Sequence, residues 1–266
     1  KPDDPTCGLR VKGVFLLGKD YIYFPMPLDL VSYEGGKNRV YLLSLQEQEL
    51  VSNCPTPMVL RASEDRLAET VEAGLLDHLA LASYLSGEQG GFPFLKLSEF
   101  VTRESKIGIG MNDVRKVAQE HHLYRIGMIR PKLDLLVDYE GLDLPTHGMV
   151  RLGGESKAAT FEICGGEWFQ EMNIRWPEKG NRFKVYLATP AKFRKGWLPN
   201  WIDETTLEGF FKGVRLKLLT AAIGRPLPIG GFDMKAVRPK EMVRAVPAGS
   251  VYYFEILDGT DLKEAM

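Results

Sequence analysis

Cysteine is scarce in this chain: Cys7, Cys54 and Cys164 are the three in a sequence of 266 residues. They lie too far apart for a CxxC metal knuckle, and an odd, dispersed set excludes the disulfide framework of a small secreted domain. A reducing cytoplasm is the expected compartment. A dominant charge is lacking too. The 34 Lys and Arg face 35 Asp and Glu, for a net charge of -1. No global field draws such a molecule to nucleic acid or an acidic membrane, so any basic surface must be local. Long apolar runs are missing as well: Leu79 to Leu85 and Leu218 to Ile223 fall far short of the roughly 20 residues that span a bilayer. No membrane partner is expected. No H-E-x-x-H, D-x-D-x-D-G or paired-His spacing is present, so neither a metal centre nor a cofactor is expected. The chain starts at Lys1 without the charged, apolar and small-residue succession of a signal peptide, as a segment from inside a longer protein would.

What is present is the balance of a globular chain. Hydrophobic residues make up 44% and charged residues 26%, and the length predicts two ordinary domains. Leu9 to Leu17, a Gly18-Lys19-Asp20 turn and Tyr21 to Phe24 read as a β-hairpin. Gly13 to Lys19 satisfies the G-x-x-x-x-G-K skeleton of a phosphate-binding loop. However, Asp20 stands where that loop needs Ser or Thr for magnesium, and Val14 to Leu17 reads as a buried strand. The turn is therefore the reading taken. Tyr41 to Leu45 predicts a strand, followed by a polar connector to about Glu64 with Pro55 and Pro57. Leu67, Val71, Leu75, Leu79 and Ala82 share a helical face, interrupted by Gly74, with a helix over Asp77 to Ser86 as its firmest part. Phe92, Phe94 and Phe100 form an apolar patch that suits either a core or a protein partner.

Further on, Arg103 to Gly110 interleaves basic residues and glycines with strand character, and Leu123 to Arg130 is its natural partner. Together they predict a hairpin arm with a polar, partly basic tip over Asn112 to His122. Val150 to Leu152 enters Gly153-Gly154-Glu155-Ser156-Lys157, and Thr160 to Ile163 leaves it as a strand. After a break near Gly165-Gly166, strands are predicted at Phe183 to Ala188 and Val251 to Ile256, with a glycine-rich and proline-rich loop over Gly224 to Phe232 between them. Strands are many and helices few, so the fold class is α+β with antiparallel sheets.

Several of these motifs occur together in one family. Glu104 to Ile109 followed by Leu123-Tyr124, then Leu152 to Lys157, then Arg225-Pro226 with Gly231 to Met234, then Ala245 to Val251 resemble the third subunit of the Cmr complex. That complex is the type III-B CRISPR effector, and the subunit belongs to the RAMP superfamily. The resemblance spans about residues 9–256. It implies two ferredoxin-like, RRM-related domains, at 1–165 and 166–266, with a β-hairpin thumb inserted near 102–130. It also implies a non-catalytic, antiviral role: holding the 5′ handle of the guide RNA. The implied partners are that crRNA, the large polymerase-like signature subunit and the backbone subunit. The family's opening strand before Leu9 and its closing glycine-rich segment after Ile256 are not recognisable. The second domain is accordingly expected to be incomplete at its C-terminus.

Single-stranded RNA is held by cations and backbone N–H groups on its phosphates and by apolar or aromatic faces against its bases. On that chemistry Gly153 and Gly154 would admit the RNA backbone, while Glu155, Ser156 and Lys157 complete the loop with a hydroxyl donor and a cation. Arg103, Lys106, Arg115 and Lys116 would clamp phosphates, and Ile107, Gly108 and Met111 form the stretch in which Ile107 or Met111 would wedge between bases. Arg225 and Phe232 would supply a cation and a stacking ring. The plain alternatives are a β-bulge with a solvated Lys157, an arm packed on a neighbouring protein, and a core Phe232. His121 and His122 raise a second function, a metal-independent RNA-processing endonuclease with a His base. A loop histidine pair is more often plain surface. A protein-binding scaffold is the third reading.

Overall fold

Period-two alternation of apolar and polar residues makes antiparallel strands the main regular structure of the described residues. The computed structural model describes residues 5–34, 38–48, 55–63, 67–89, 91–111, 118–152, 157–165, 172, 174–175, 180–233 and 236–259. Strands β1 (Arg10–Leu17) and β2 (Ile22–Pro25) pair Leu16 with Tyr23 and Leu17 with Ile22. Gly18 donates its N–H to the Tyr21 carbonyl at 2.8 Å, so Gly13 to Lys19 is strand and turn. Next, β3 (Leu30–Tyr33) pairs with β4 (Arg39–Leu42), and β5 (Ser44–Glu47) with β6 (Met58–Arg61). This last hairpin corrects the expectation of a featureless connector: Met58 is buried, so the segment closes over apolar surface.

The helical reading of Leu67 to Leu76 is also corrected. Those residues form β7 (Ala68–Glu69) and β8 (Gly74–Asp77), and α1 covers only His78–Leu85. Sheet pairing outweighs the helical period because β8 lies between two other strands. At Gly74 an added Cβ would meet Met26 Sδ at 3.0 Å. Asp77 then caps the helix by accepting the Ala80 N–H at 2.8 Å.

The chain continues through β9 (Phe92–Pro93), β10 (Leu95–Lys96) and the short α2 (Leu97–Phe100) into the long strands β11 (Val101–Met111) and β12 (Ala118–Pro131). It returns by β13 (Asp134–Glu140) and a hairpin of β14 (His147–Arg151) and β15 (Ala158–Glu162). Then follow β16 (Arg182–Tyr186), β17 (Glu208–Phe211), β18 (Val214–Ala222), β19 (Leu227–Ile229), β20 (Phe232–Asp233), β21 (Arg238–Pro239), β22 (Val243–Ala245) and β23 (Val251–Ile256). No helix among the described residues is long and apolar enough to cross a membrane.

Two sheets organise the two halves. The first has the order β10-β8-β2-β1-β13, and α1 packs on it through Ala80, Leu81 and Tyr84 against Ile22, Phe24 and Leu76. Phe92 is 3% exposed in this core, Phe94 packs partly buried against it, and Phe100 lies on Tyr23 with ring centroids 5.1 Å apart. The phenylalanine patch is therefore structural rather than a partner surface. Burial of rings this large dominates local energetics. The second sheet, β16-β23-β18-β17, gathers Leu218, Tyr252, Phe254, Ile256 and Ile202 into a separate core.

The halves meet at a buried carboxylate. Asp29, fully buried ahead of β3, accepts hydrogen bonds from the Tyr84 hydroxyl of α1, at 2.8 and 2.9 Å, and from the Tyr253 hydroxyl of β23. Lys184, the cross-strand partner of Tyr253, places its ammonium 3.3 Å from the centroid of the Tyr84 ring. Burial pulls the Lys184 pKa down to about 8, against the opposing attraction of Asp29. The same burial raises the hydroxyl pKa values of Tyr84 and Tyr253, so both remain donors. Tyr186 adds a 2.6 Å bond to the Pro25 carbonyl, and Leu28 donates to the Gly249 carbonyl at 2.8 Å. Gly249 has φ +90, and a Cβ there would stand 2.6 Å from the Met26 carbonyl oxygen. The Ala245 to Val251 motif thus acts as a clasp between the sheets.

Candidate nucleic-acid interface

The arm is one continuous antiparallel ladder from Val101 opposite Pro131 to Ile109 opposite Leu123. Strand β11, with its 11 residues, is about 35 Å long at roughly 3.3 Å per residue. Lys132 closes the arm's root by donating its N–H to the Phe100 carbonyl at 2.8 Å. Since directly opposed residues share a face, the register sorts every arm residue.

One face carries Arg103 opposite Ile129, Ser105 opposite Gly127, Ile107 opposite Arg125, and Ile109 opposite Leu123. Ile107, Ile129 and Leu123 are 64%, 67% and 67% exposed, and the Arg125 guanidinium donates to the Ser105 hydroxyl. Between Val101 and Ile109 this face has two guanidiniums and no carboxylate. The other face carries Thr102 opposite Arg130, Glu104 opposite Met128, Lys106 opposite Ile126, and Gly108 opposite Tyr124. Glu104, Ile126 and Met128 are half-buried there. Arg130 grips Glu104 through two contacts, at 3.0 and 3.2 Å.

The β14–β15 hairpin reaches this second face. Its strands pair Arg151 with Ala158, and Leu152 donates to the Lys157 carbonyl at 2.9 Å. The Lys157 ammonium lies 3.4 Å from Met128 Sδ. Lys106, Gly108 and Lys157 are thereby brought to one face, while Arg103 and Ile107 point from the opposite one. Gly153, Gly154, Glu155, Ser156, Arg115 and Lys116 lie outside the described residues. The side chains of Met111, His121 and His122 do as well. The backbone of His121 and His122 belongs to β12, which corrects their reading as loop residues: the ladder extends back to Ala118, opposite Met111.

Phe232 belongs to a second, shorter arm rather than a loop, whereas Arg225 lies in the loop that leads into it. Leu227 to Ile229 pair with Ala245 to Val243, and Phe232 and Asp233 with Pro239 and Arg238. Arg225 is exposed at its root, and Phe232 is 49% exposed rather than in the core. Arg125 and Tyr124 lie within the predicted arm strand but are not among the RNA-contacting candidates. Both become visible once the strands are aligned residue by residue, since a glycine opposite an aromatic is a recognisable cross-strand pair. Among the described residues no group of three or more His, Cys, Asp and Glu is placed to hold a metal ion.

Two solved structures of similar shape are a "Type III-B Cmr-beta bound to cognate target RNA and AMPPnP, state 1" and a "Type III-B Cmr-beta bound to cognate target RNA", both by cryo-electron microscopy. The first matches with a TM-score of 0.49 and 16% identity over 92% of this chain and 66% of the other. The second gives 0.47 and 16% over 91% and 64%. The chain thus spans about two thirds of the length of those solved chains. No curated protein matches it. The model of the family described as CRISPR-associated protein (Cas_Cmr3) matches residues 4–265. With that match over nearly its whole length, the chain belongs to the Cas_Cmr3 family of CRISPR-associated proteins.

Proposed function

We propose that this protein is a non-catalytic RNA-binding subunit of a type III-B CRISPR effector complex, working in the cytoplasm in antiviral defence. It holds the repeat-derived 5′ handle of the guide RNA and links the large signature subunit to the backbone subunits. In this reading the two sheets are the cores of two ferredoxin-like domains, divided near residue 165, and the first arm is the inserted thumb. The observation that carries the reading is the meeting of Lys157 with the Lys106 and Gly108 face of the arm. Two elements with RNA-like chemistry, far apart in the sequence, share one surface, and the arm's opposite face offers Arg103 and Arg125 among exposed aliphatic side chains. Cations for phosphates beside apolar faces for bases are what single-stranded RNA needs, and a molecule of net charge -1 has to concentrate them locally.

The test is handle-RNA affinity of the assembled complex, with crosslinks mapped from RNA to protein. Lys157→Glu is expected to weaken binding about tenfold or more, since a carboxylate then faces phosphate. Crosslinks are expected on the arm and on the β14–β15 hairpin. Incubation with repeat RNA in EDTA and in magnesium is expected to give binding without cleavage. Cleavage abolished by replacing His121 and His122 with Ala would establish the nuclease instead. RNA crosslinks confined to other subunits would leave a protein scaffold.

A further inference from the structure

We propose that Tyr124 is a stacking platform for one unpaired base of an RNA strand held along the half-buried face of the first arm. The proposal rests on the RNA-binding reading above and gives that surface a defined contact.

Tyr124 stands directly opposite Gly108. A Cβ built on Gly108 would lie 2.3 Å from the ring's Cζ and 2.5 Å from Cε2 and Oη. The ring therefore lies across the glycine backbone, occupying the space any other residue at 108 would need. One side of the ring is spent on that contact, and the residue remains 46% exposed. A partly exposed ring held against the backbone in this way is already ordered, so a base stacking on it costs little further entropy.

The electrostatic surroundings favour a polyanion. Lys106 is two residues from Gly108 on the same face, Arg130 lies further along it, and Lys157 reaches in at Met128. The single carboxylate among these ladder pairs, Glu104, is held by Arg130. An aromatic plane with lysines on its flank suits any of the four bases, because each has a π-face, and it gives affinity without sequence readout. A protein partner would instead be expected to bury the aliphatic residues of the opposite face, where exposure is greatest.

The competing explanation is that the ring only shields Gly108 and stiffens the arm. Tyr124→Leu separates the two, since leucine still covers the glycine but presents no plane. In the assembled complex, guide RNA carrying 2-aminopurine at successive handle positions is expected to show one position quenched by the parent protein. Quenching should persist in Tyr124→Phe and be lost in Tyr124→Leu. Affinity should fall about tenfold to hundredfold in the leucine variant, and an abasic nucleotide at that position should erase the difference between the two proteins. Circular dichroism checks that each variant is folded. If no position is quenched in the parent, or if Tyr124→Leu binds like the parent while Lys157→Glu binds weakly, the platform is overturned and the RNA-binding reading stands. If neither change nor deletion of the arm affects RNA affinity, both fall.

Discussion

The junction between the two sheets and the first arm use polar residues in opposite ways. At the junction Asp29 is fully buried and satisfied by two tyrosine hydroxyls, with Lys184 on the Tyr84 ring. A buried charge is tolerable only when so surrounded, and removing one member leaves the rest unpaired. On the arm, Arg103 and Arg125 stand among exposed Ile107, Ile109 and Leu123. Their loss uncovers no core, and the exposed Ser105 hydroxyl that Arg125 leaves is satisfied by water. The junction spends polar groups on holding one geometry, and the arm keeps them available to a ligand.

The largest effect is expected at Gly249. Valine there would combine a disfavoured positive φ with a Cβ 2.6 Å from the Met26 carbonyl oxygen. Gly249→Val should cost about 5 kcal/mol or more, seen as loss of the folded fraction in denaturant unfolding. A variant of parental stability would show that the clasp yields easily and would erase the contrast. Asp29→Ala comes next, at about 3–5 kcal/mol, because it leaves Tyr84 and Tyr253 unsatisfied and Lys184 without its neighbouring carboxylate.

A smaller and pH-dependent effect belongs to Lys184. Its pKa in the fold is about 8, whereas an unfolded chain holds that proton to about pH 10. Between those values the unfolded state binds more protons, so stability should rise with pH, by at most about 3 kcal/mol. Above about pH 10 the raised tyrosine pKa values reverse the trend. Lys184→Met should flatten the rise between pH 8 and 10 in urea titrations. A rise that persists in this variant would assign the effect to another group. The smallest change in stability is expected on the arm. Arg103→Ala with Arg125→Ala should shift it by under about 0.5 kcal/mol, yet reduce the salt slope of RNA binding by about 1.4, the value for two phosphate contacts to a single strand. Unfolding by more than that would make the arm structural.

Much of the fold was legible because strand alternation is local. The β1–β2 turn, the two arm strands, the β14–β15 pair and β23 all stand where their patterns lie. Errors arose where a tertiary partner overrode a local period. Leu67 to Leu76 carries helical spacing but is drawn into the sheet, and the residues around Arg225 and Phe232 looked like a loop because Pro226, Pro228, Gly230 and Gly231 mask two short ladders. Of the candidate site, the cations were readable as residue types, but their grouping was not. Lys157 and Met128 are 29 positions apart, and no spacing rule links them.

What the sequence determined by itself was the antiparallel strand content, the hairpin arm and, through four ordered motifs, the family. Those depend on near neighbours or on residue identity. The tertiary structure alone decided which arm face meets Lys157, that Tyr124 covers Gly108, and that Asp29 closes on Tyr253 across 224 positions. Side-chain direction along a strand repeats every two residues whatever lies opposite. Register and sheet docking, set by packing of the whole chain, decide what each side chain faces.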